Sequence, residues 1–270
     1  MSDKSNLRGE SMSFFKGLKK RGQLTLFVMM SIVIVAGVII YLFWIQPTYF
    51  DQQIGGLDFD SCVNDAVVNG IVELSSTGGV IDSGFSYLYQ GVDVPYFCYT
   101  NLPYQTCVVQ QPLVKQYFEK QLITYLEEEV NVCYENSVDE LKSLGYNVTT
   151  GEVELNFTII PGRVVVDVYA PTTVEGQRFE DYKMNVDSSI YDILMVVTSL
   201  LQYEASFGDA STSELMFYYP EIVIDKFKQV DSTTIYIVGE KGGDIKFQFA
   251  SRSLIWPAGY DMINYVRSEK

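Results

Sequence analysis

The sequence predicts an α+β protein: one N-terminal transmembrane helix, then an exported domain in which helices pack on antiparallel sheet and disulfides staple the fold. Three observations carry this. Residues 24–45 form an uncharged run of 22, enough for the ~20 apolar residues that a bilayer crossing needs. Beyond it, apolar side chains recur at steps of three and four until Gly145 and then alternate with a period of two, which marks helices followed by strands. Four cysteines, Cys62, Cys98, Cys107 and Cys133, all follow the apolar run, an even number that suits a disulfide framework.

The apolar run sets the topology. Lys16, Lys19, Lys20 and Arg21 lead it, and no Lys or Arg follows as far as Asp51. Positive charge stays on the cytoplasmic side, so residues 1–22 are expected as a cytoplasmic basic tail or leader and 23–45 as the membrane helix. The lipid bilayer is thus the first expected partner, and the C-terminal domain is extracytoplasmic on a single-pass cell-membrane protein. A removable secretory signal fits less well: the run exceeds the ~7–15 residues of an h-region, and no small-x-small site follows it.

Charge narrows the other partners. Residues 1–22 hold six basic and two acidic side chains, leaving 13 basic and 32 acidic ones beyond, a balance of −19. Such a surface repels nucleic acid and anionic lipid. Its first meaning is solubility.

Within the exported chain, residues 57–75 form a helix with apolar Phe59, Val63, Ala66, Val67, Ile71 and Leu74, stopped at Thr77-Gly78-Gly79. An aromatic, strand-like stretch covers 80–99. Pro112 opens a long helix to about 144, with Gly145 as its exit. Strands over 153–160 and 164–169 flank Pro161-Gly162 as a hairpin, and 179–186 adds a third strand. Asp187 or Ser188 caps an apolar helix over 190–207 before Gly208. Strands over 216–219, 222–227, 233–238 and 244–250 complete the chain, the last two joined around Lys241-Gly242-Gly243. One domain of roughly 210 residues after the anchor is the economical organisation. Its alternative is a disulfide-bearing helical subregion, 46–145, and a β-rich subregion with one apolar helix, 146–270.

Four cysteines allow three pairings, and local structure separates them. Cys98 and Cys107 flank a stretch whose Asn101-Leu102-Pro103 centre suits a turn, so they can close a stapled hairpin. Cys62 and Cys133 are left for each other, each on an apolar stripe at helical spacing. Zinc is the competing use of cysteine, but the chain has no CxxC pair and no His.

The search for chemistry is otherwise negative. Without His there is no Ser-His or Cys-His nucleophile pair, and neither Gly78-Gly79 nor Gly242-Gly243 sits in a phosphate-loop context. No cofactor is expected. Glu127, Glu128 and Glu129 form a solvated helix face; Asp58 and Asp60 complement a helix N-terminus. Two sequons, Asn147-Val148-Thr149 and Asn156-Phe157-Thr158, are candidate N-glycan acceptors. Phe85, Tyr87, Tyr89, Tyr96, Phe97, Tyr99 and Tyr104 cluster around the stapled hairpin, as a recognition surface or as core.

The junction Lys19-Lys20-Arg21-Gly22-Gln23-Leu24-Thr25-Leu26-Phe27 resembles the class III signal peptide of archaeal type IV pilin-like proteins. That resemblance implies cleavage after Gly22 and a mature N-terminus at Gln23. Many pilins carry Glu at the fifth mature position, where this chain has Phe27, so the likeness concerns processing more than filament registration. Together with Ser61-Cys62-Val63, Gly78-Gly79, the segments 94–99 and 107–112, and the helix ending near Cys133, the first half of the chain resembles a family of uncharacterised archaeal single-pass envelope proteins. The resemblance implies a surface location and no known activity.

Two functional classes follow. The first is a non-enzymatic structural or interaction protein, pilin-like or simply anchored, serving envelope organisation, adhesion or assembly with other envelope proteins or itself. The second is a membrane-tethered enzyme or solute receptor using carboxylates in an exported cleft.

Overall fold

The structure, a computed structural model, describes residues 21–44 and 57–255. The chain divides into two compact units, residues 1–56 and 57–270. In the first, helix α1 (Arg21–Trp44) has described side chains only at 28–40, all exposed. Among the described residues no helix is long and apolar enough to cross a membrane.

The second unit is α+β. Its order is α2 (Leu57–Ser76), β1 (Ser86–Tyr89), β2 (Val92–Tyr99), β3 (Val108–Val109), α3 (Val114–Ser143), β4 (Val148–Thr150), β5 (Glu154–Ile160), β6 (Arg163–Val174), β7 (Gln177–Asp187), α4 (Ile190–Phe207), α5 (Thr212–Tyr218), β8 (Ile222–Lys228), β9 (Thr233–Glu240) and β10 (Lys246–Arg252). One sheet runs β1-β2-β10-β9-β8 with β3 also on β2. In the other, β6 pairs with β5 and β4 along successive stretches and with β7 along its length.

Helices α2, α3 and α4 share one continuous core with both sheets. On α3 the buried stripe is Val114, Phe118, Leu122, Leu126, Val130, Tyr134 and Val138, with Cys133 beside it, a spacing of four that keeps one face turned inward. Phe118 meets Phe247 of β10 at 6.1 Å. Toward the other sheet, Ile159 at the edge of β5 donates its N–H to Glu119 Oε1 at 2.7 Å, while Lys115 Nζ reaches the Ile159 carbonyl at 3.4 Å and Glu119 itself at 2.7 Å. An i,i+4 ion pair thereby occupies backbone groups that an edge strand otherwise offers to another chain.

Glycines end the helices where the sequence places them. After α2, the Gly79 N–H bonds Leu74 O at 2.7 Å and the Gly78 N–H bonds Ser75 O at 3.0 Å, the paired closure that needs a left-handed residue; Gly78 has φ 67°. After α3, Tyr146 and Gly145 make the same two bonds to Leu141 O and Lys142 O.

Several expectations are corrected. Of the expected strand 216–219, residues 216–218 belong to helix α5 and Tyr219 is its C-cap, because a four-residue apolar run has no period to betray it. Helix α3 begins at Val114, two residues past Pro112. The cap of α4 is Ser189, although Ser188 Oγ does accept the Ile190 N–H at 3.3 Å. Residues 80–99 are not one strand: β1 and β2 form a hairpin turning at Gln90 (φ 52°) and Gly91 (φ 88°). Pairing is not wholly antiparallel, since β2 and β10 run parallel. Strands so far apart in sequence leave no local turn signal.

The β1–β2 hairpin leaves its sheet. Residues 92–95 pair with β1, and pairing to β10 begins only at Tyr96. Although β1 and β8 end the strand order, Tyr89 lies 5.8 Å from Phe227 of β8. The hairpin therefore crosses the outer face of β10-β9-β8 and seals a second small core of Val94, Ile235 and Ala250, ringed by Tyr87, Tyr89, Val92, Tyr96 and Ile237.

Candidate functional site

The four cysteines form two bridges. Cys62 of α2 and Cys133 of α3 are 1.95 Å apart at sulfur, and Cys98 and Cys107 are 1.96 Å apart, the pairing that local spacing predicts. The second bridge closes a two-pair hairpin, Cys98 opposite Val109 and Tyr99 opposite Val108. Three further bonds hold its loop against the end of β10: Tyr104 N–H to Leu254 O, Leu254 N–H to Gln105 O, and Cys107 N–H to Ser253 Oγ at 3.0 Å.

The aromatic cluster divides between its two expected roles. Phe97 is 2% exposed in the main core, stacked 5.7 Å from Phe249. Tyr87, Tyr89 and Tyr96 are half-buried around the second core. Phe85 lies against Tyr96 and Tyr99 at 4.8 and 4.7 Å yet keeps half its surface in solvent. Tyr104, at 78%, is displayed outright, as are Leu102 and Val108. The turn after α4 adjoins the same end: a Cβ on Gly208 would meet Ile255 Cδ1 at 1.7 Å, and the adjacent Phe207 is 67% exposed. Leu102 and Tyr104 within the stapled loop, Val108 just after it and Phe207 at the end of α4 thus give this end of the domain exposed apolar side chains.

A buried carboxylate lies at this end. Glu204, 1% exposed, occupies the last turn of α4 and accepts from the Tyr236 hydroxyl, from Ser251 Oγ at 2.8 Å and from the Ala210 N–H at 3.2 Å. Desolvation pushes the Tyr236 phenol far above its usual range, and the charge of Glu204 and its hydrogen bond add to the rise. Lys226 sits 5.6 Å over the Tyr236 ring and pairs with Asp209. Ser251 also touches Cys107 Sγ at 3.5 Å. Sequence reasoning missed Glu204, although a signal existed: it continues the apolar series Ile193, Val197, Leu200, Leu201 at helical spacing. With three donors and 1% exposure, the carboxylate ties α4 to β9 and β10.

The predicted acidic face is exposed: Glu127, Glu128 and Glu129 all face solvent. Glu127, Glu135, Asp139 and Glu152, with Lys142, line an open groove of about 590 Å³ between α3 and the loop before β5. Among the described residues no three Asp, Glu, Cys or His side chains are gathered to hold a metal ion. At Asp60 burial pushes the carboxyl upward, the opposite of what a helix N-terminus does to an acid. Asn147 and Asn156 are both exposed. The junction Gly22-Gln23 falls at the start of α1, where side chains lie outside the described set, as do residues 1–20. Comparison with protein-family models, with curated proteins and with solved structures gives no match.

Proposed function

We propose that the chain is a membrane-anchored extracytoplasmic structural or interaction protein, acting by contact rather than by catalysis. Residues 23–45 are its anchor and 1–22 its cytoplasmic tail or leader, with cleavage after Gly22 by a prepilin-type peptidase. The observation that carries the reading is the pair of closed disulfides, Cys62–Cys133 and Cys98–Cys107, in the domain that follows the basic-flanked apolar run. Such bonds persist in oxidising compartments and are rare in cytosolic proteins. The likeness of residues 19–27 to class III signals points the same way, toward an archaeal envelope.

Partners are the bilayer and envelope proteins, other copies of the chain included. The exposed Leu102, Tyr104, Val108 and Phe207 supply the contact, since aromatic side chains give large area at small entropic cost. Glu204 supports a structural role for the carboxylate buried in the core, since its bonds are all internal.

The test is intact mass and N-terminal sequencing of protein extracted from its native membranes, reduced and non-reduced. A mature Gln23 with two disulfides is expected; an intact Met1 removes the processing step, and free thiols remove the export reading. In-cell cross-linking of Tyr104→Ser and Phe207→Ser checks the contact. Adducts should fall at least several-fold, and undiminished adducts place the interface elsewhere.

A further inference from the structure

We infer that Asn147 and Asn156 carry N-linked glycans on the outer face of the four-stranded sheet; this rests on the extracytoplasmic reading above. In a strand, residues i and i+2 share a face, so an Asn-x-Thr tripeptide in a strand either shows both recognition side chains to solvent or buries both. Here both sequons show them. In β5, Asn156 and Thr158 are exposed while the middle residue Phe157 is 3% exposed. Just before β4, Asn147 is exposed, as is Thr149 within it, while the middle residue Val148 packs on the core.

Each acceptor is also held in a defined place. Asn156 lies opposite Asp167 of β6, whose carboxylate is engaged by Lys183 at 2.9 Å. The Asn147 backbone is clamped by Glu175, which accepts its N–H at Oε1 (2.7 Å) and donates its own N–H to the Asn147 carbonyl at 3.1 Å. That leaves the Asn147 amide free of the backbone pairing. Asn156 stands opposite Asp167 of β6, and Asn147 is bonded to Glu175, just past the end of that strand and eight residues on, up to roughly 25 Å along an extended chain and room for two separate chains of sugar.

The reaction is transfer of an oligosaccharide from a polyisoprenoid phosphate or diphosphate donor. A bond forms between the Asn side-chain nitrogen and the anomeric carbon as the bond from that carbon to the phosphate oxygen breaks. The amide proton leaves with the departing lipid phosphate. Glycans on this face would keep it free of protein neighbours and leave the Tyr104–Phe207 end for contact.

The test is peptide mass spectrometry on full-length protein from native membranes, with cysteine oxidation scored on the same sample. Sugar mass is expected on the peptides bearing Asn147 and Asn156. Thr149→Ala should remove the first increment alone and Thr158→Ala the second, although neither touches the acceptor. Bare peptides in a protein with both disulfides formed overturn the glycan assignment and leave export standing; bare peptides with free thiols overturn the export reading, and this one with it. An increment that survives the Thr substitutions is a different modification and also overturns the assignment.

Discussion

Two buried polar side chains in this domain have opposite standing. Glu204 has three donors, whereas the Ser75 hydroxyl is fully buried with no hydrogen-bond partner. Removing an acceptor that serves several buried donors strands them all, at about 1–3 kcal/mol each. Glu204→Ala should therefore lower stability by about 3–5 kcal/mol, and Tyr236→Phe, which breaks one charge-assisted bond, by about 1.5–3 kcal/mol. Urea midpoints check both, and a Glu204→Ala protein as stable as the parent would remove the clamp. Ser75→Ala deletes a hydroxyl that receives nothing for its desolvation, so it should be neutral or stabilising by up to about 1 kcal/mol. A loss above about 1 kcal/mol in the same urea series would mean that the hydroxyl has a partner after all.

At the scale of the element, the same backbone requirement carries different penalties in different surroundings. Gly78 ends α2 at φ 67° and Gly176 turns the β6–β7 hairpin at φ 87°. A Cβ on Gly176 would meet nothing, whereas one on Gly78 would meet the Gln248 carbonyl at 2.4 Å and Pro95 at 2.7 Å. Gly176→Ala should lose only the left-handed strain, about 1–2 kcal/mol. Gly78→Ala adds a clash with backbone that cannot swing aside and should lose clearly more; equal thermal midpoints for the two would contradict this. Legibility divides along the same line. Helix α4 was readable in its span, though not in its cap, because a long apolar period ends in Gly208, and the Cys98–Cys107 staple because its ends lie nine residues apart. The fold-over of β1–β2, the parallel β2–β10 pair and the Glu204 cluster were not. Each depends on residues far apart in sequence, such as Glu204 and Ser251, whose meeting follows from sheet order rather than from any local pattern. The expected strand 216–219 failed for another reason as well: MFYY has strand propensity, and packing of Leu215 in a short helix over 212–218 overrides it.

For the whole molecule, stability rests on cross-links of unequal reach and on a set of desolvated phenols. The Cys62–Cys133 bridge spans 71 residues and joins α2 to α3, while Cys98–Cys107 spans 9. Loop-closure entropy then assigns about 4–5 kcal/mol to the first and about 2–3 to the second. Replacing Cys62 and Cys133 by Ser should shift the urea midpoint further than replacing Cys98 and Cys107; the reverse order would mean that native-state contacts outweigh chain entropy. The phenols add a dependence on pH. Burial raises Tyr96, Tyr117 and Tyr182 above the ordinary value, and Tyr125 reaches about 12 through desolvation and then through its hydrogen bond and proximity to Glu73. Tyr236 is displaced further still. A folded pKa above the unfolded one means that, as pH rises past about 10, the unfolded chain releases its phenol protons first. The native state's advantage is therefore complete below about pH 10 and is lost between there and about pH 12 for Tyr125. Urea midpoints at about pH 8, 10 and 11 should fall most over the last interval, and Tyr125→Phe should make that fall shallower. Native absorbance that titrated all tyrosines near pH 10 without unfolding would show that these phenols are hydrated in the folded state.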